Sequence, residues 1–543
     1  MSTMGLISFL IAISLSMMLI PLLVRIAPSI GLVDLPGPRK IHTHVVPRVG
    51  GIAIFLGSII PLLIWLPKNQ MFFALLSALL VLFLFGVWDD KSDIDFRVKF
   101  FGQIAAAAIL VYWGDIYIHQ FPFFEDNEIP QGLTRLFTVF LLVGVTNAVN
   151  MADGLDGLAG GTSLLAVGCM TVTAYLAQDV HVVVFGLALI GATLGFLRFN
   201  TYPARLFLGD SGSQLLGFCS GVICILVTQN SNTALSPMMA VMVLGLPLLD
   251  MFTVMVIRIS EGRSPFSADK KHIHHMFLDI GFSHREAVYV VYTIQIALVL
   301  SAFLLRYATD ELVLIVYLGF CITLLSMIAL AKHRIGATSM WVIGSQRFLA
   351  KMGIDSELGI YRKFSYQTIR VTLSAIFLIG VSSIANIPRD FGVMAIVLLI
   401  MLLPTLLIIN EFTNTIRRLT LYVTAGFIVY FIELAQQDGR IVANYLPVLF
   451  LIVGVLVAFL IRMAGSSVRE FSALDFLLLA TAVIVSLFPE AKVMDGIDAK
   501  VVIEIVVLFY AIDVLFNRRD RLEKFVLAST SVALVVIVLK SLL

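Results

Sequence analysis

The chain has 543 residues, of which 59% are hydrophobic and only 13% charged, with a net charge of +2 at pH 7. A soluble domain carries roughly 25% charged residues, so this composition argues against a soluble protein and indicates a membrane protein. The small net charge gives no reason to expect a nucleic-acid partner. The four cysteines lie in apolar runs without CxxC spacing, which argues against a zinc site or a disulfide framework.

The apolar runs predict helices along the whole chain, because a membrane-spanning helix needs about 20 mostly apolar residues. About eleven runs precede residue 332, near 5–25, 49–67, 71–88, 99–113, 133–149, 158–177, 181–199, 211–228, 235–257, 287–305 and 312–331. Roughly seven more follow between residues 371 and 543. The predicted fold is therefore all-α, a polytopic transmembrane helical bundle. Its predicted parts are a membrane core (1–331), a basic cytoplasmic connecting segment (332–370) and a C-terminal transmembrane extension (371–543).

Lysine and arginine residues concentrate in alternate loops, which sets the predicted orientation. With the N-terminus outside, one set of loops holds Arg39, Lys40, Arg48, Lys91, Arg97, Lys99, Arg198, Arg205, Arg258, Arg263, Lys270, Lys271, Lys332 and Arg334. The opposite set holds little more than Lys68, Arg135 and Arg306. Because Lys and Arg accumulate in cytoplasmic loops, the first set is predicted to be cytoplasmic. Five polar clusters fall on that same side, at 34–51, 89–90, 147–161, 207–213 and 258–275.

Asp89 and Asp90 directly follow the apolar run LFLFGVW. The alternative to a functional pair is that they only end a helix at the membrane interface. An ionised carboxylate held at depth costs about 2.5–3.5 kcal/mol, which favours function. Neighbouring positions do not share a helix face, so the pattern predicts separate partners for the two carboxylates. Like charges this close also favour a cation between them.

Asp210 opens the eighth predicted span within the sequence GDSGS. It is an apt helix N-cap, and that is its plainer interpretation. Gly209 and Gly212 allow the backbone to approach a ligand closely, and free N–H groups at a helix start suit a phosphate. The pattern therefore also predicts an acid that caps a helix and holds a metal beside phosphate.

Asn150, Asp153 and Asp156 stand in a glycine-rich stretch between two spans. Turn formation is the alternative, but polar groups beside two apolar spans favour a nucleotide pocket.

His272, His274 and His275 follow two lysines in the loop 258–275. Zinc normally takes tetrahedral His/Cys sites, and no cysteine lies in the loops on this side. Donation to phosphate oxygens is therefore favoured, with a solvated basic loop as the alternative.

Together the residues indicate metal-dependent phosphoryl transfer at the cytoplasmic membrane face, because this chemistry needs mainly positioning and charge neutralisation. Carboxylates beside phosphate oxygens are the surroundings that Mg²⁺ prefers. A membrane transporter or a lipid-linked sugar handling protein is the alternative. Transporters place charges near the bilayer midplane, often in inverted repeats, whereas here the charges sit at span ends and no repeat is visible. Residue chemistry alone does not identify the sugar.

Six motifs, in order, resemble the polyprenyl-phosphate N-acetylhexosamine-1-phosphate transferases of the glycosyltransferase family 4 type. They are RKIHTHVVPRVGG, WDD, KFFGQ, NAVNMADGLDG, RLFLGDSGS and SPFSADKKHIHH, and they cover about residues 1–331. The last motif is closest to the bacterial undecaprenyl-phosphate alpha-N-acetylglucosaminyl 1-phosphate transferases. The resemblance implies transfer of a 2-acetamido-sugar 1-phosphate from a UDP-sugar to undecaprenyl phosphate, with release of UMP. It also implies Mg²⁺, or Mn²⁺ in its place, and a site on the cytoplasmic side of the bacterial inner membrane.

The resemblance also implies roles for individual residues. Asp210 would be the principal magnesium ligand, and Asp89 and Asp90 would serve at the reacting phosphates as base or as metal and cation partners. Phe207 would stack on uracil with Asp156 nearby, while Asn150 and Asp153 would line the ribose and phosphate region. The further phosphate contacts would be Lys99, His272, His274 and His275, and the basic loop residue Arg48 is assigned to substrate binding. Asp93 stands near the place of a lysine in the related translocases, so the role of that lysine does not carry over.

Nothing in the resemblance covers residues 371–543, whose few charges are mostly assigned to loop positions such as Arg417, Arg418, Arg462 and Arg518. Asp475, Glu504 and Asp513 are isolated in the sequence, which favours paired or interfacial carboxylates over a second site. The extension is predicted to pack against the core or to bind a pathway partner or a second copy, with handling of the lipid-linked product as the alternative. The sequence does not decide between O-antigen, common-antigen, teichoic and capsular polymers.

The orientation is tested by cysteine labelling in sealed cells. Cysteines introduced at Ser92 and Ser264 are expected to react with a membrane-impermeant maleimide only after permeabilisation, because their loops belong to the Lys- and Arg-rich set. A cysteine at Asn230 is expected to react from outside and serves as the control. External labelling at Ser264 would contradict the orientation.

Overall fold

Helices make up almost all of the chain that the computed structural model describes. The described residues are 2–36, 44–124, 129–264, 271–333, 359–384, 387–405, 411–437, 446–463, 474–477, 492–494, 497–516 and 523–542. The chain divides into two compact units. The first comprises Met1–Ile343 with Ser472–Leu474, and the second Gly344–Phe471 with Asp475–Leu543. The predicted all-α fold is confirmed, while the predicted domain boundaries remain a prediction.

The first unit holds thirteen helices among its described residues. They are α1 (Ser2–Ile30), α2 (Gly50–Trp65), α3 (Gln70–Ser92), α4 (Phe96–Ala108), α5 (Gln131–Ala152), α6 (Leu158–Leu176), α7 (Val180–Asn200), α8 (Gly209–Ile225), α9 (Met238–Val243), α10 (Gly245–Ser260), α11 (Ile273–Ile280), α12 (His284–Leu304) and α13 (Asp310–His333). π-Helical turns extend α4 through Trp113 and α8 through Ser231. A short antiparallel pair, β1 (Val33–Asp34) and β2 (Val46–Pro47), precedes α2, with Val33 opposite Pro47.

The predicted span 235–257 is divided in the structure into α9 and α10. Proline at position 247 has no N–H to donate, and its ring collides with the carbonyl four residues earlier in a continuous helix. That carbonyl belongs to Val243, and it accepts instead from Gln295 Nε2 of α12 at 2.8 Å. The eight-residue helix α11 is too short to appear as an apolar run, so the sequence did not predict it.

Eleven of the described helices are long and apolar enough to cross a membrane, nine in the first unit and two in the second. Helix α8 lies at the centre of the first unit, because the whole of its apolar window is buried. Helix α13 lies at the periphery and exposes apolar side chains such as Ile315, Ile322 and Met327. An exposed apolar stripe of this kind suits lipid. The protein is therefore a multi-pass membrane protein.

The second unit contains six long helices among its described residues. They are α14 (Gly359–Ser383), α15 (Arg389–Thr405), α16 (Glu411–Gln437), α17 (Leu446–Met463), α18 (Ala499–Phe516) and α19 (Glu523–Leu542), with a small β3–β4 pair (Lys492–Met494 and Ile497–Asp498) before α18.

The expected loop positions of two arginines in this unit were wrong. Arg417 and Arg418 lie inside α16, where Arg417 is buried and donates to the carbonyl of Thr405 at the end of α15. Arg418 pairs with Asp513 of α18 at 3.2 Å, and the Tyr422 hydroxyl donates to the same carboxylate. Asp513 is therefore a paired carboxylate, which is one of the two possibilities, paired or interfacial, that the sequence favoured.

Close packing of α3 on α8 depends on Gly86. A Cβ atom at Gly86 would lie 2.5 Å from the Cα of Ser211. That position is backbone and cannot rotate away, so only glycine permits this approach. The carboxylates at the end of α3 reach the start of α8 because the two helices touch here.

Substitution of Gly86 tests this packing. Gly86→Val is expected to lower the free energy of unfolding by about 1–3 kcal/mol, because overpacking forces the backbones apart. Thermal unfolding in detergent measures the change. Gly144→Ala on α5 is the control, since a Cβ there meets nothing within 4 Å, and it is expected to leave stability equal or higher. Equal melting temperatures for Gly86→Val and the wild type would contradict the packing.

Candidate active site

The Asp90 carboxylate of α3 caps the start of α8. Its Oδ1 accepts from Asp210 N at 2.6 Å, and its Oδ2 accepts from Ser211 N at 3.0 Å and from Ser211 Oγ at 2.5 Å. The side chain is 3% exposed. The helix has no cap from its own preceding residue, so a carboxylate from another helix satisfies its first N–H groups.

This arrangement corrects two expectations for the sequence GDSGS. Asp210 donates its own N–H to Asp90 and is not the cap of α8. Two of the N–H groups expected to be free for a phosphate, those of Asp210 and Ser211, are already bonded to Asp90. Gly209, at φ +75°, makes room for the contact, because a Cβ there would lie 2.6 Å from both Asp90 carboxylate oxygens.

Lys99 of α4 stands between the two remaining carboxylates. Its Nζ lies 2.8 Å from Asp89 Oδ2 and also forms an ion pair with Asp210 Oδ1. Asp89 Oδ1 accepts from Ile94 N at 3.0 Å, in the turn after α3. Asp89 and Asp90 therefore have separate partners, as their adjacent positions predicted, and a cation accompanies the cluster.

A layer of amides beneath these charges joins α4, α5 and α8. Gln103 Nε2 donates to Gln214 Oε1 at 3.1 Å, and Asn147 Nδ2 donates to Gln103 Oε1 at 2.6 Å. Asn150, one helical turn after Asn147, accepts from Ser213 Oγ at 2.7 Å. Sequence reasoning found Asn150 but assigned no role to Gln103, Asn147 or Gln214. The signal for Asn147 was its three-residue spacing from Asn150 in an otherwise apolar helix.

The glycine-rich turn after α5 brings two more carboxylates to this region. Burial, with the nearby negative charges of Asp210, Asp156 and Asp90, raises the pKa of Asp153 to about 8. Asp156 is held in place, because its N–H donates to His284 Nε2 and its Oδ2 accepts from Ala204 N, both at 3.0 Å. The negative charge of the cluster thus acts on the Asp153 carboxyl.

The three histidines cluster on α11 and at its start. Their ring centroids lie 4.4 Å apart for His274 and His275, and 5.5 Å apart for His272 and His274. His274 packs against Gly154 of the glycine-rich turn, where a Cβ would collide with its imidazole ring. His274 is 3% exposed, and its Nε2 has no hydrogen-bond partner among the described residues. Burial, with the neighbouring histidines, holds its pKa well below the usual range, so a neutral imidazole faces the turn.

Arg48 and Phe207 lie on two extended segments at the edge of the site. Phe207 N donates to Pro47 O at 2.7 Å, and Phe207 O accepts from Gly50 N at 3.0 Å. Arg48 pairs with Asp34 and, at 3.2 Å, with the exposed Asp93 at the end of α3. The structure therefore places Arg48 against carboxylates outside the central cluster. The motif residues 37–43 and 265–270, including Lys270, lie outside the described residues.

The donor chemistry of the cluster fits a magnesium ion. The carboxylates of Asp89 and Asp210 converge on one ammonium group, so both already face a position that holds positive charge. No group of three or more His, Cys, Asp or Glu able to hold a metal occurs in the described part of the chain. Mg²⁺ is usually bound through one or two carboxylates together with substrate phosphates, so this smaller set is sufficient.

Because the pKa of Asp153 is raised, we expect the stability of the folded protein to depend on pH. The folded state keeps a proton that the unfolded chain, with a pKa near 3.8, releases. This carboxyl therefore costs no stability below about pH 4, and its cost grows as pH rises to about 8 and then levels off. Asp153→Asn is expected to raise the melting temperature of ligand-free protein more at pH 9 than at pH 5. Asp279→Asn, at an exposed carboxylate, is the control. Equal shifts in the melting temperature of Asp153→Asn at the two pH values would contradict the prediction.

Comparison with known proteins agrees with the motifs. Residues 72–228 match the model of glycosyl transferase family 4. A probable undecaprenyl-phosphate N-acetylglucosaminyl 1-phosphate transferase of Bacillus subtilis is 35% identical over 56% of this chain and 85% of its own length. The undecaprenyl-phosphate alpha-N-acetylglucosaminyl 1-phosphate transferase of Escherichia coli K12 is 30% identical over 55% of this chain and 85% of its own length. A decaprenyl-phosphate N-acetylglucosaminephosphotransferase of Mycobacterium tuberculosis is 36% identical over 49% of this chain and 74% of its own length. The matched region contains Asp89, Lys99 and Asp210 of the charge cluster. This chain therefore belongs to glycosyl transferase family 4, the family that its six motifs predicted.

Proposed function

We propose that the protein transfers GlcNAc 1-phosphate from UDP-GlcNAc to undecaprenyl phosphate, releasing UMP and leaving a lipid-pyrophosphate-sugar that starts a cell-surface polysaccharide. The observation that carries this proposal is the cluster of Asp89, Lys99 and Asp210 at the ends of three membrane helices. The named activities of the relatives support the donor and the acceptor. The cluster lies in the bacterial inner membrane and faces the cytoplasm, where UDP-sugars are made.

The reaction needs two anions to approach each other. An oxygen of the lipid phosphate attacks the phosphorus that bears the sugar, and the bond from that phosphorus to the bridging oxygen of UMP breaks. UMP leaves with the bridging oxygen, so atoms and charge balance without a redox partner. The ammonium of Lys99 offsets the phosphate charge, since charge neutralisation carries most of the catalysis in phosphoryl transfer.

Asp210 and Asp89 would hold Mg²⁺, with Mn²⁺ as the alternative. The bound metal supplies positive charge to the pyrophosphate oxygens. Asp90 has both oxygens committed to α8 and keeps Asp210 at its place. Asp90 therefore positions Asp210, whereas Asp89 and Asp210 themselves act on the phosphates.

The remaining residues are assigned around this centre. Phe207 would stack on uracil beside Asp156, and Asn150 and Asp153 would face the ribose and phosphates. Neutral His274, packed on Gly154, would donate one hydrogen bond to a phosphate oxygen, with His272 and His275 beside it. Exposed apolar side chains on the outer helices, such as Ile315 and Ile322 of α13, would contact the polyprenyl tail within the bilayer.

The role of Asp210 is tested by an isosteric change. Asp210→Asn is expected to lower UMP release by at least about 100-fold, since an amide ligates Mg²⁺ poorly. Folding should persist, because the capping contact uses the backbone N–H of Asp210 and the carboxylate of Asp90. UMP release is measured with purified protein, undecaprenyl phosphate and a panel of UDP-sugars across a magnesium titration.

Asp310→Asn serves as the matched control for this experiment. Asp310 accepts from Ser236 Oγ at 2.5 Å, remote in sequence from all of the motifs, and its replacement is expected to leave turnover near that of the wild type. Near-normal activity of Asp210→Asn throughout the titration would refute the metal role. If the wild type releases UMP from no UDP-sugar in the panel, the proposed reaction itself is wrong.

A further inference from the structure

Helix α10 carries a buried carboxylate that sequence reasoning did not single out. Asp250 is 4% exposed and lies ten residues before the last residue of α10. At 1.5 Å per residue, that is about 15 Å from the end of the helix. A buried ionisable group inside a helix of a membrane protein is usually paired and functional, so its partners are informative.

Both oxygens of Asp250 are bound by the start of the histidine segment. Oδ2 lies 2.8 Å from His272 Nδ1, and Oδ1 accepts from Ile273 N at 2.6 Å. Helix α11 otherwise packs against α12 and α13. Asp250 therefore links the start of α11 to α10, at a point about 15 Å from the end of that helix.

The contact determines which nitrogen of His272 is available. Carboxylate oxygens only accept hydrogen bonds when ionised, so the Nδ1 of His272 carries the proton. His272 Nε2 has no hydrogen-bond partner among the described residues, and the ring lies parallel to that of His274, with an interplanar angle of 10°. The carboxylate thus holds the ring so that Nε2 points away from α10.

We propose that Asp250 is a positioning residue, which orients His272 and sets its tautomer for contact with a phosphate oxygen of the substrate. This inference rests on the proposed phosphoryl transfer for its functional consequence. Asp250 touches no substrate and acts only through His272 and the start of α11. Outer partners that orient a functional histidine typically change activity by about 10- to 100-fold when they are removed.

A double-mutant cycle tests the proposal. Asp250→Asn is expected to lower kcat about 10- to 100-fold with a smaller change in KM for undecaprenyl phosphate, because the histidine is misdirected and not removed. In a His272→Gln background the same change is expected to cost less than about 2-fold, since residues that act through one another are not additive. Equal losses in both backgrounds would overturn the proposal. Asp250→Glu, which keeps a carboxylate, is expected to recover part of the lost kcat.

A second measurement does not depend on turnover. In protein labelled with nitrogen-15 histidine, the His272 signal is identified by its absence from His272→Gln. The wild type is expected to show a protonated Nδ1, and Asp250→Asn a changed protonation pattern at this ring alone. An unprotonated Nδ1 in the wild type, or an unchanged signal in Asp250→Asn, would overturn the proposal.

The controls separate this inference from the proposed function. If the wild type turns over no UDP-sugar while the labelled ring behaves as expected, the proposed reaction fails and the positioning contact stands. Asp310→Asn is expected to match the wild type in both experiments. If neither Asp250→Asn nor Asp250→Glu yields folded protein by thermal unfolding, Asp250 is a structural residue and the proposal is wrong.

Discussion

The buried contact between Asp90 and the start of α8 is the interaction on which the site depends. The carboxylate comes from the last turns of one membrane helix and accepts three hydrogen bonds from the first turn of another. A buried charge without partners would cost several kcal/mol, so each helix stabilises the other at this point. Gly86 and Gly209 allow the contact, one by close helix packing and one by a positive φ. Asp210 is consequently held beside Lys99 with its own carboxylate still directed at the ammonium.

The histidine segment illustrates the same principle at longer range. Asp250 holds the first residues of α11 from inside α10, and Gly154 provides the surface on which His274 rests. His272 and His274 are thus each held by a residue from another part of the chain, one by a carboxylate and the other by contact with a glycine. Such support matters in a membrane protein, because a misplaced polar group finds no water to satisfy it.

The second unit uses buried charges differently. Arg418 and Asp513 are paired, and Arg417 satisfies the carbonyl of Thr405 at a helix end. These contacts join α16 to α18 and to α15 and resemble the packing of an ordinary helix bundle. Paired charges of this kind are costly to bury and are weak evidence for either stability or catalysis. The role of the extension predicted from sequence, a packing or partner-binding element, therefore remains a prediction.

Hydropathy and motif order were sufficient to predict the helical fold and the family, because both depend on residues that are neighbours in the sequence. They also gave separate partners to Asp89 and Asp90, since adjacent positions on a helix point in different directions. The number of core spans was not fixed in this way, since about eleven were predicted and nine of the described helices in the first unit are long and apolar enough to cross a membrane. Only the tertiary structure decided which groups meet: that Asp90, and not Asp210, caps α8, that Lys99 stands between Asp89 and Asp210, and that Arg48 pairs with Asp34 and Asp93. It also produced the break between α9 and α10, where Pro247 removes one hydrogen bond and Gln295 from α12 replaces it. The physical reason is that capping contacts, ion pairs and amide networks join residues that are far apart in the sequence, such as Asp90 and Asp210. The sequence does not show which of these residues come close together, because that depends on how the helices pack.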